Sequence, residues 1–347
     1  MKDRFQKVLV ILWFLIVTGC NVSSATPTSV PSPTSFQPTP LQSATPAPAP
    51  PPPETPAIPT AANTPRATRT PLIDSAHLGK IDRDVTYCTT GGVALKMDVY
   101  YPLKVTDRPA PVAVNAHGGS WSFGDKRNSE TQTDIPELVQ RGYLVAAVNY
   151  RLAPKYKFPA QIEDVKCAVR YLRAHAATYH LDSNRIGAWG CSAGGHLVAL
   201  LGLTDGRPEF EGTGEYRGES SRVQAVVPIS APADLTLSSY NLPRAETFSH
   251  VFGATSITDT ILMRASPVSY VSKNAPPFFI LGGDRDETVP LQQSQELYRR
   301  LKEAGASASL LLVKNAHHCL PDTKPPIEPP RVEITRQIAD FFDRELR

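Results

Sequence analysis

Gly190-Cys191-Ser192-Ala193-Gly194 is a G-x-S-x-G run set between two apolar stretches of different period. Residues 185–189 read as a strand and residues 193–204 as a helix, so Ser192 falls on the turn that joins them. A serine hydroxyl is a weak nucleophile unless the chain holds it exposed, beside a base, at the start of a helix. Glycines two before and two after Ser192 permit the strained turn, because a side chain there would press on neighbouring backbone.

Other pieces of the same chemistry lie on either side. The apolar run 111–116 reads as a strand, and His117-Gly118-Gly119-Ser120-Trp121 follows it. Glycines at that place free backbone N–H groups to face a developing oxyanion, and the N–H of Ala193 is a natural second donor. Downstream, residues 278–283 read as a buried strand, with Asp286 just beyond it and Val289-Pro290 next. Residues 309–313 read as another strand, followed by Asn315-Ala316-His317-His318-Cys319. The order Ser, then Asp, then His is that of α/β-hydrolases, and differs from the orders of chymotrypsin and subtilisin.

These motifs, with Tyr150-Arg151-Leu152-Ala153-Pro154, Phe158-Pro159-Ala160-Gln161-Ile162-Glu163-Asp164 and Gly195-His196-Leu197, carry a resemblance. The chain resembles the α/β-hydrolases of the bacterial feruloyl-esterase-like group, BD-FAE, relatives of the hormone-sensitive-lipase-like esterases. The resemblance runs from about Ile81 to the C-terminus and is specific to fold and reaction class, not to substrate. It implies Ser192 as nucleophile, Asp286 as acid, His318 as base, and Gly119, Ser120 and Ala193 as oxyanion donors. The chain departs from its relatives at Leu281-Gly282-Gly283, where a histidine often precedes the glycine.

Each assignment has rivals. Asp234 follows the strand-like run 223–230, and Asp284 lies beside Asp286; the Asp-x-x-Val-Pro pattern favours Asp286. His317 adjoins His318, which the Ala-x-His pattern selects. His175 and His180 end a helical pattern and read as solvent-facing. His196 sits one turn into the helix after Ser192 and reads as a packing or hydrogen-bonding residue. His117 reads as a brace for the oxyanion loop, and Asp164 as a structural ion-pair partner of Arg151. Trp121 fits core packing and the floor of an acyl pocket equally.

The N-terminus speaks to location. Residues 1–7 are net basic, residues 8–17 are apolar, and Val17-Thr18-Gly19-Cys20 follows. An apolar run of that length suits a signal peptide rather than a membrane span. Val-Thr-Gly-Cys resembles the bacterial lipobox, which implies removal of residues 1–19 and acylation of Cys20; the alternative is an ordinary secretory signal. Residues 21–71 are dominated by Pro, Thr, Ser and Ala and cannot bury enough surface to offset ordering. They read as a stiff disordered tether of up to roughly 150 Å, at about 3.1 Å per residue. The expected protein is therefore lipid-anchored, with an extracytoplasmic catalytic domain over 72–347.

Within that domain strand-like runs (95–101, 112–116, 144–150, 185–189, 223–230, 278–281, 309–313) alternate with helical patterns (134–141, 159–178, 193–204, 291–304, 331–346). The expected fold is an α/β-hydrolase, a mostly parallel sheet flanked by helices on both faces. Two irregular stretches, 205–222 and 235–265, read as small cap and specificity segments over the strand ends. The formal net charge of +3 gives no argument for nucleic acid, and no metal-ligand cluster or cofactor motif is visible.

If Ser192 and His318 come within hydrogen-bond reach, their neighbours Cys191 and Cys319 come within disulfide range. That arrangement resembles the cysteine-flanked triad of tannases and fungal feruloyl esterases, and leads to an expected Cys191–Cys319 disulfide; the alternative is two buried thiols. Cys88 and Cys167 are left without a partner. The expected activity is serine-dependent hydrolysis of short-acyl, acetyl or feruloyl esters, from small molecules or plant polysaccharides. A peptidase or amidase of the same fold is the alternative. A non-catalytic surface protein is disfavoured because every triad position is filled. Oligomeric state is not readable.

Overall fold

The computed structural model describes residues 78–104, 106–237, 240 and 244–347. The expected signal peptide, Cys20 and the expected proline-rich tether lie outside the described residues. Among those described, no helix is long and apolar enough to cross a membrane.

Eight strands form one sheet: β1 (Ile81–Thr90), β2 (Val93–Tyr100), β3 (Ala110–Ala116), β4 (Leu144–Val148), β5 (Leu181–Cys191), β6 (Ala225–Ile229), β7 (Phe278–Gly283) and β8 (Ala308–Val313). Their order is β1-β2-β4-β3-β5-β6-β7-β8. β2 runs antiparallel to both of its neighbours, and every other pairing is parallel. This is the α/β-hydrolase arrangement expected from the sequence.

Parallel strands joined by crossover helices must be covered on both faces, and the side chains divide accordingly. In β3 and β4, Val112, Val114, Leu144, Ala146 and Val148 enter one core, while Ala113, Val145 and Ala147 enter the other. The first core lies under α2 (Ala160–Ala174) and α4 (Ala193–Leu203), with α3 (Ala176–Tyr179) a single turn between α2 and β5. The second lies under α1 (Ile135–Gln140) and the long C-terminal helix α8 (Arg331–Leu346), where Ile334, Ile338 and Phe342 meet Trp189 and Tyr143.

Among the described residues three further helices follow α4: α5 (Ala245–Phe252), α6 (Thr260–Ala265) and α7 (Gln292–Glu303). The chain leaves β3 toward β4 on one side and, after β4, crosses to β5 on the other. The strand order therefore reverses at β3, and the crevice at the carboxyl ends of β3 and β5 is where such sheets bind ligands.

The structure departs from the sequence reading in several places. β1 was not read from the sequence: its polar alternation suits an edge strand, and the turn Gly91-Gly92, both at positive φ, folds it onto β2 as a two-residue hairpin. Cys88 and Cys167 are not unpaired; they form a disulfide between β1 and α2, with Cα atoms 6.4 Å apart.

The segment 205–222 is not a lid over the site. Helix α4 carries the chain about 16 Å from the carboxyl to the amino ends of the strands, at 1.5 Å per residue. The segment then lies along α2, its end held by Arg173, which donates to the carbonyls of Ser183, Ser220 and Arg222. Glu211 in this segment accepts from Lys166 (2.6 Å) and Arg170, whose side chains are almost wholly buried. Removing the carboxylate leaves two buried cations without their counter-charge. Glu211→Ala is therefore expected to destabilise the fold by about 3–5 kcal/mol in urea unfolding, with the folded protein's activity little changed.

Candidate active site

The turn after β5 places Ser192 at φ 58°, ψ −123°, a backbone conformation that an ordinary side chain adopts only under constraint. The constraint is visible on both sides of the residue. The Ser192 N–H donates to the carbonyl of Ile229 (2.9 Å), and the Ser192 carbonyl accepts from His196 N–H (2.9 Å) as α4 begins. The end of β3 presses on this turn. A Cβ at Gly190 would lie 2.6 Å from the Ala116 carbonyl oxygen, and one at Gly194 would lie 2.7 Å from that of His117. The glycine spacing thus follows from close approach of two strand ends.

Opposite Ser192 stands the loop that leaves β3. A Cβ at Gly118 would lie 3.5 Å from Ser192 Cβ. Gly119, Ser120 and Trp121 follow at φ 113°, 48° and 57°. The loop turns back on the Gly119 carbonyl, which accepts from the N–H groups of Ser122 and Phe123 at 3.0 Å. Among the described residues, the N–H groups of Gly119, Ser120 and Ala193 donate to no protein acceptor. They are therefore free for an anionic oxygen.

Several groups brace this loop. The His117 ring stacks on Tyr150 with centroids 4.3 Å apart, and Tyr150 Oη donates to the His117 carbonyl (2.9 Å). Ala153 N–H donates to the Trp121 carbonyl (2.9 Å), so the Tyr150–Pro154 motif acts as a buttress. Trp121 is nearly buried, with Phe252 of α5 edge-on at 5.1 Å. Its indole N–H donates to His196 Nδ1 (3.1 Å), and His196 Nε2 donates to the Ala265 carbonyl (2.8 Å). The loop is thereby joined to Phe252 and Ala265, which bring helices α5 and α6 of the 235–265 stretch beside the site. Arg151 pairs with Asp164 at 2.8 Å, as the sequence suggested. His180 is exposed, but His175 is half-buried between Tyr171 and Tyr216 rather than solvent-facing.

The bonding of His196 needs one neutral tautomer, with Nδ1 accepting and Nε2 donating. Burial pushes its ring down to about 4, and burial likewise pushes His117 down to about 4. A histidine whose folded value lies below its unfolded value of about 6.5 stabilises the fold above pH 6.5. That contribution is lost as pH falls toward 4. Each ring is worth about 3 kcal/mol across this interval. His196→Gln, which does not titrate, is expected to flatten the fall in urea-unfolding free energy between pH 6.5 and 4 by about that amount.

The remaining pair is supplied by the loops after β7 and β8. His318 Nδ1 donates to Asp286 Oδ2 at 2.9 Å. Asp286 is buried, and its Oδ1 accepts the N–H groups of Thr288 (2.9 Å) and Val289 (2.8 Å), which fix the carboxylate. The rivals are placed elsewhere. Asp234 Oδ1 binds Thr236, Asp284 is exposed, and His317 points outward and is exposed.

A disulfide joins Cys191 to Cys319, with Cα atoms 5.7 Å apart, so the residues next to Ser192 and His318 are covalently linked. A His318 ring nitrogen lies within 4.8 Å of both sulfurs. The disulfide occupies those sulfurs, so the three residues do not form a metal site. A half-buried serine on a strained turn, an imidazole held by a carboxylate and free N–H donors, all on loops at the carboxyl ends of the strands, are the elements of acyl transfer.

The sequence profile of the BD-FAE family matches residues 97–301, more than half of the chain. The chain is 34% identical over 235 residues to Esterase LipQ of Mycobacterium tuberculosis, a match covering 66% of this chain and 55% of that protein. It spans about half the length of the curated relatives it matches. Among solved structures it is similar to a truncated carbohydrate esterase from gut microbiota (TM-score 0.66, 26% identity, 78% of this chain and 97% of that one). It is also similar to the bifunctional GH43-CE protein of Bacteroides eggerthii (TM-score 0.66, 30% identity, 77% of this chain and 35% of that one). The matched stretch spans the His117–Trp121 loop, the Ser192 turn and Asp286 and covers more than half of the chain: the chain belongs to the BD-FAE family of α/β-hydrolases.

Proposed function

We propose that the protein is a serine carboxylic-ester hydrolase that works through an acyl-enzyme. The observation that carries this reading is the fixed His318–Asp286 pair, tied by the 191–319 disulfide to the turn that presents Ser192. Asp286 orients the imidazole and leaves Nε2 to take the Ser192 proton as the hydroxyl attacks an ester carbonyl. The tetrahedral oxyanion is received by the free N–H groups of Gly119, Ser120 and Ala193. His318 then protonates the leaving alcohol and activates the water that releases the acid.

For substrate, the reading is a short-acyl ester, acetyl or feruloyl, carried on a carbohydrate of plant origin. Similarity to a carbohydrate esterase from gut microbiota supports it. A panel of p-nitrophenyl acetate, butyrate and decanoate, methyl ferulate, acetylated xylan and a dipeptide p-nitroanilide tests both parts. The expected result is fast turnover of acetyl, butyryl or feruloyl esters and none of the anilide; selective cleavage of the anilide would reverse the choice.

The reading extends to location: export, acylation of Cys20, and a catalytic domain held off the membrane by residues 21–71. Metabolic labelling with a palmitate analogue should mark the wild-type chain and not Cys20→Ser. Equal labelling of both would remove the anchor from the account.

A further inference from the structure

Ser230 follows β6 and is a non-glycine residue at φ 46°, in the left-handed region where glycine is the comfortable occupant. It is almost wholly buried. A serine kept in such a place calls for a use of its side chain. The structure shows that use: Ser230 Oγ accepts the N–H of Cys319 at 3.3 Å, on the residue after His318.

The segment Ser230 holds is itself strained. Asn315, Cys319 and Leu320 stand at φ 58°, 64° and 58°, so the turn bearing His318 is not a conformation the chain adopts unaided. Two tethers secure it within one residue: the disulfide to Cys191 and the hydrogen bond to Ser230. The end of β6 also reaches the other strand ends. The Ile229 carbonyl accepts Ser192 N–H at 2.9 Å, and Ser230 N–H donates to the Leu281 carbonyl of β7 at 2.8 Å. Two consecutive residues thus touch the turn of the nucleophile, the strand that leads to the acid and the loop of the base.

We propose that Ser230 is a positioning residue for the base, its hydroxyl sharing with the Cys191–Cys319 disulfide the task of fixing the His318 loop against the Ser192 turn. The assignment rests on the hydrolase reading above. Ser230 acts through the Cys319 peptide, so its loss disturbs imidazole placement rather than substrate contact. A misplacement of about 1 Å in a catalytic group costs up to about 10²-fold in rate.

The test compares Ser230→Gly, Ser230→Ala, Cys319→Ser and the Ser230→Gly/Cys319→Ser double variant in the otherwise intact protein, with kcat and KM on p-nitrophenyl butyrate and Tm by calorimetry. Glycine removes the hydroxyl while relieving the backbone, so Ser230→Gly should keep or raise Tm yet lower kcat about tenfold with KM unchanged. Ser230→Ala should lower kcat equally and Tm as well, separating the hydroxyl from the fold. The double variant should fall further than the product of the single effects, because each tether covers for the other. Retention of kcat within twofold in Ser230→Gly, or a double variant equal to that product, overturns the assignment. A wild-type protein that turns over no ester would instead overturn the hydrolase reading, before any variant is compared.

Discussion

Ser192→Ala is expected to lower kcat on a neutral activated ester by about 10⁶-fold while leaving the fold intact. The size follows from what the residue does in the account. Without the hydroxyl there is no acyl-enzyme, and the His318–Asp286 pair has nothing to deprotonate but water. Free N–H groups at Gly119, Ser120 and Ala193 would still polarise a bound carbonyl, so a small residual rate over the uncatalysed reaction should remain. The substitution should also relieve little strain, because Ser192 owes φ 58° to the strand ends packed against Gly190 and Gly194 and not to its own side chain. Steady-state kinetics with active-site titration of the wild type check the figure; a loss under about tenfold would mean another group attacks the ester.

Asp286→Asn should lower kcat by about 10⁴-fold with KM nearly unchanged. The carboxylate accepts from His318 Nδ1 and from the N–H groups of Thr288 and Val289. An amide can accept those backbone bonds only by turning its NH₂ toward the imidazole. That arrangement favours the tautomer with the proton on Nε2, the atom that must take the serine proton. Asp284→Asn and Asp234→Asn serve as controls, since neither carboxylate touches the ring, and both should retain activity within a few fold. A large loss at Asp234 with a small one at Asp286 would move the acid to the end of β6.

Much of this arrangement could be read before any coordinates, and the unread parts have physical reasons. The central parallel strands are continuous apolar runs because both faces are covered, and they stand out in the sequence. β1 does not, being a polar edge strand whose clearest mark is its Gly91-Gly92 turn. Ser192 was legible because its geometry demands glycines at fixed spacing. The Asp-x-x-Val-Pro pattern points to Asp286 over Asp284, and the structure gives its physical basis: Asp286 Oδ1 accepts the N–H groups of Thr288 and Val289 in an inward turn.

Cysteine pairing divided along the same line. Cys191 and Cys319 each adjoin a residue expected at the site, whereas Cys88 and Cys167 meet only because β1 folds over α2. The charged, glycine-containing sequence of 205–222 resembles a lid, yet the segment lies along α2. Its position depends on α4 having carried the chain to the amino ends of the strands. Ser230 has no sequence signature: its importance appears only when its φ and the Cys319 N–H are seen together.

The most direct test of the central claim is to react the intact protein with a fluorophosphonate and map the adduct by mass spectrometry. One stoichiometric adduct is expected on the peptide containing Ser192, with loss of ester hydrolysis in step with its formation and a much slower reaction in Asp286→Asn. An adduct on a different serine, or undiminished hydrolysis after Ser192 is fully phosphonylated, would contradict that claim.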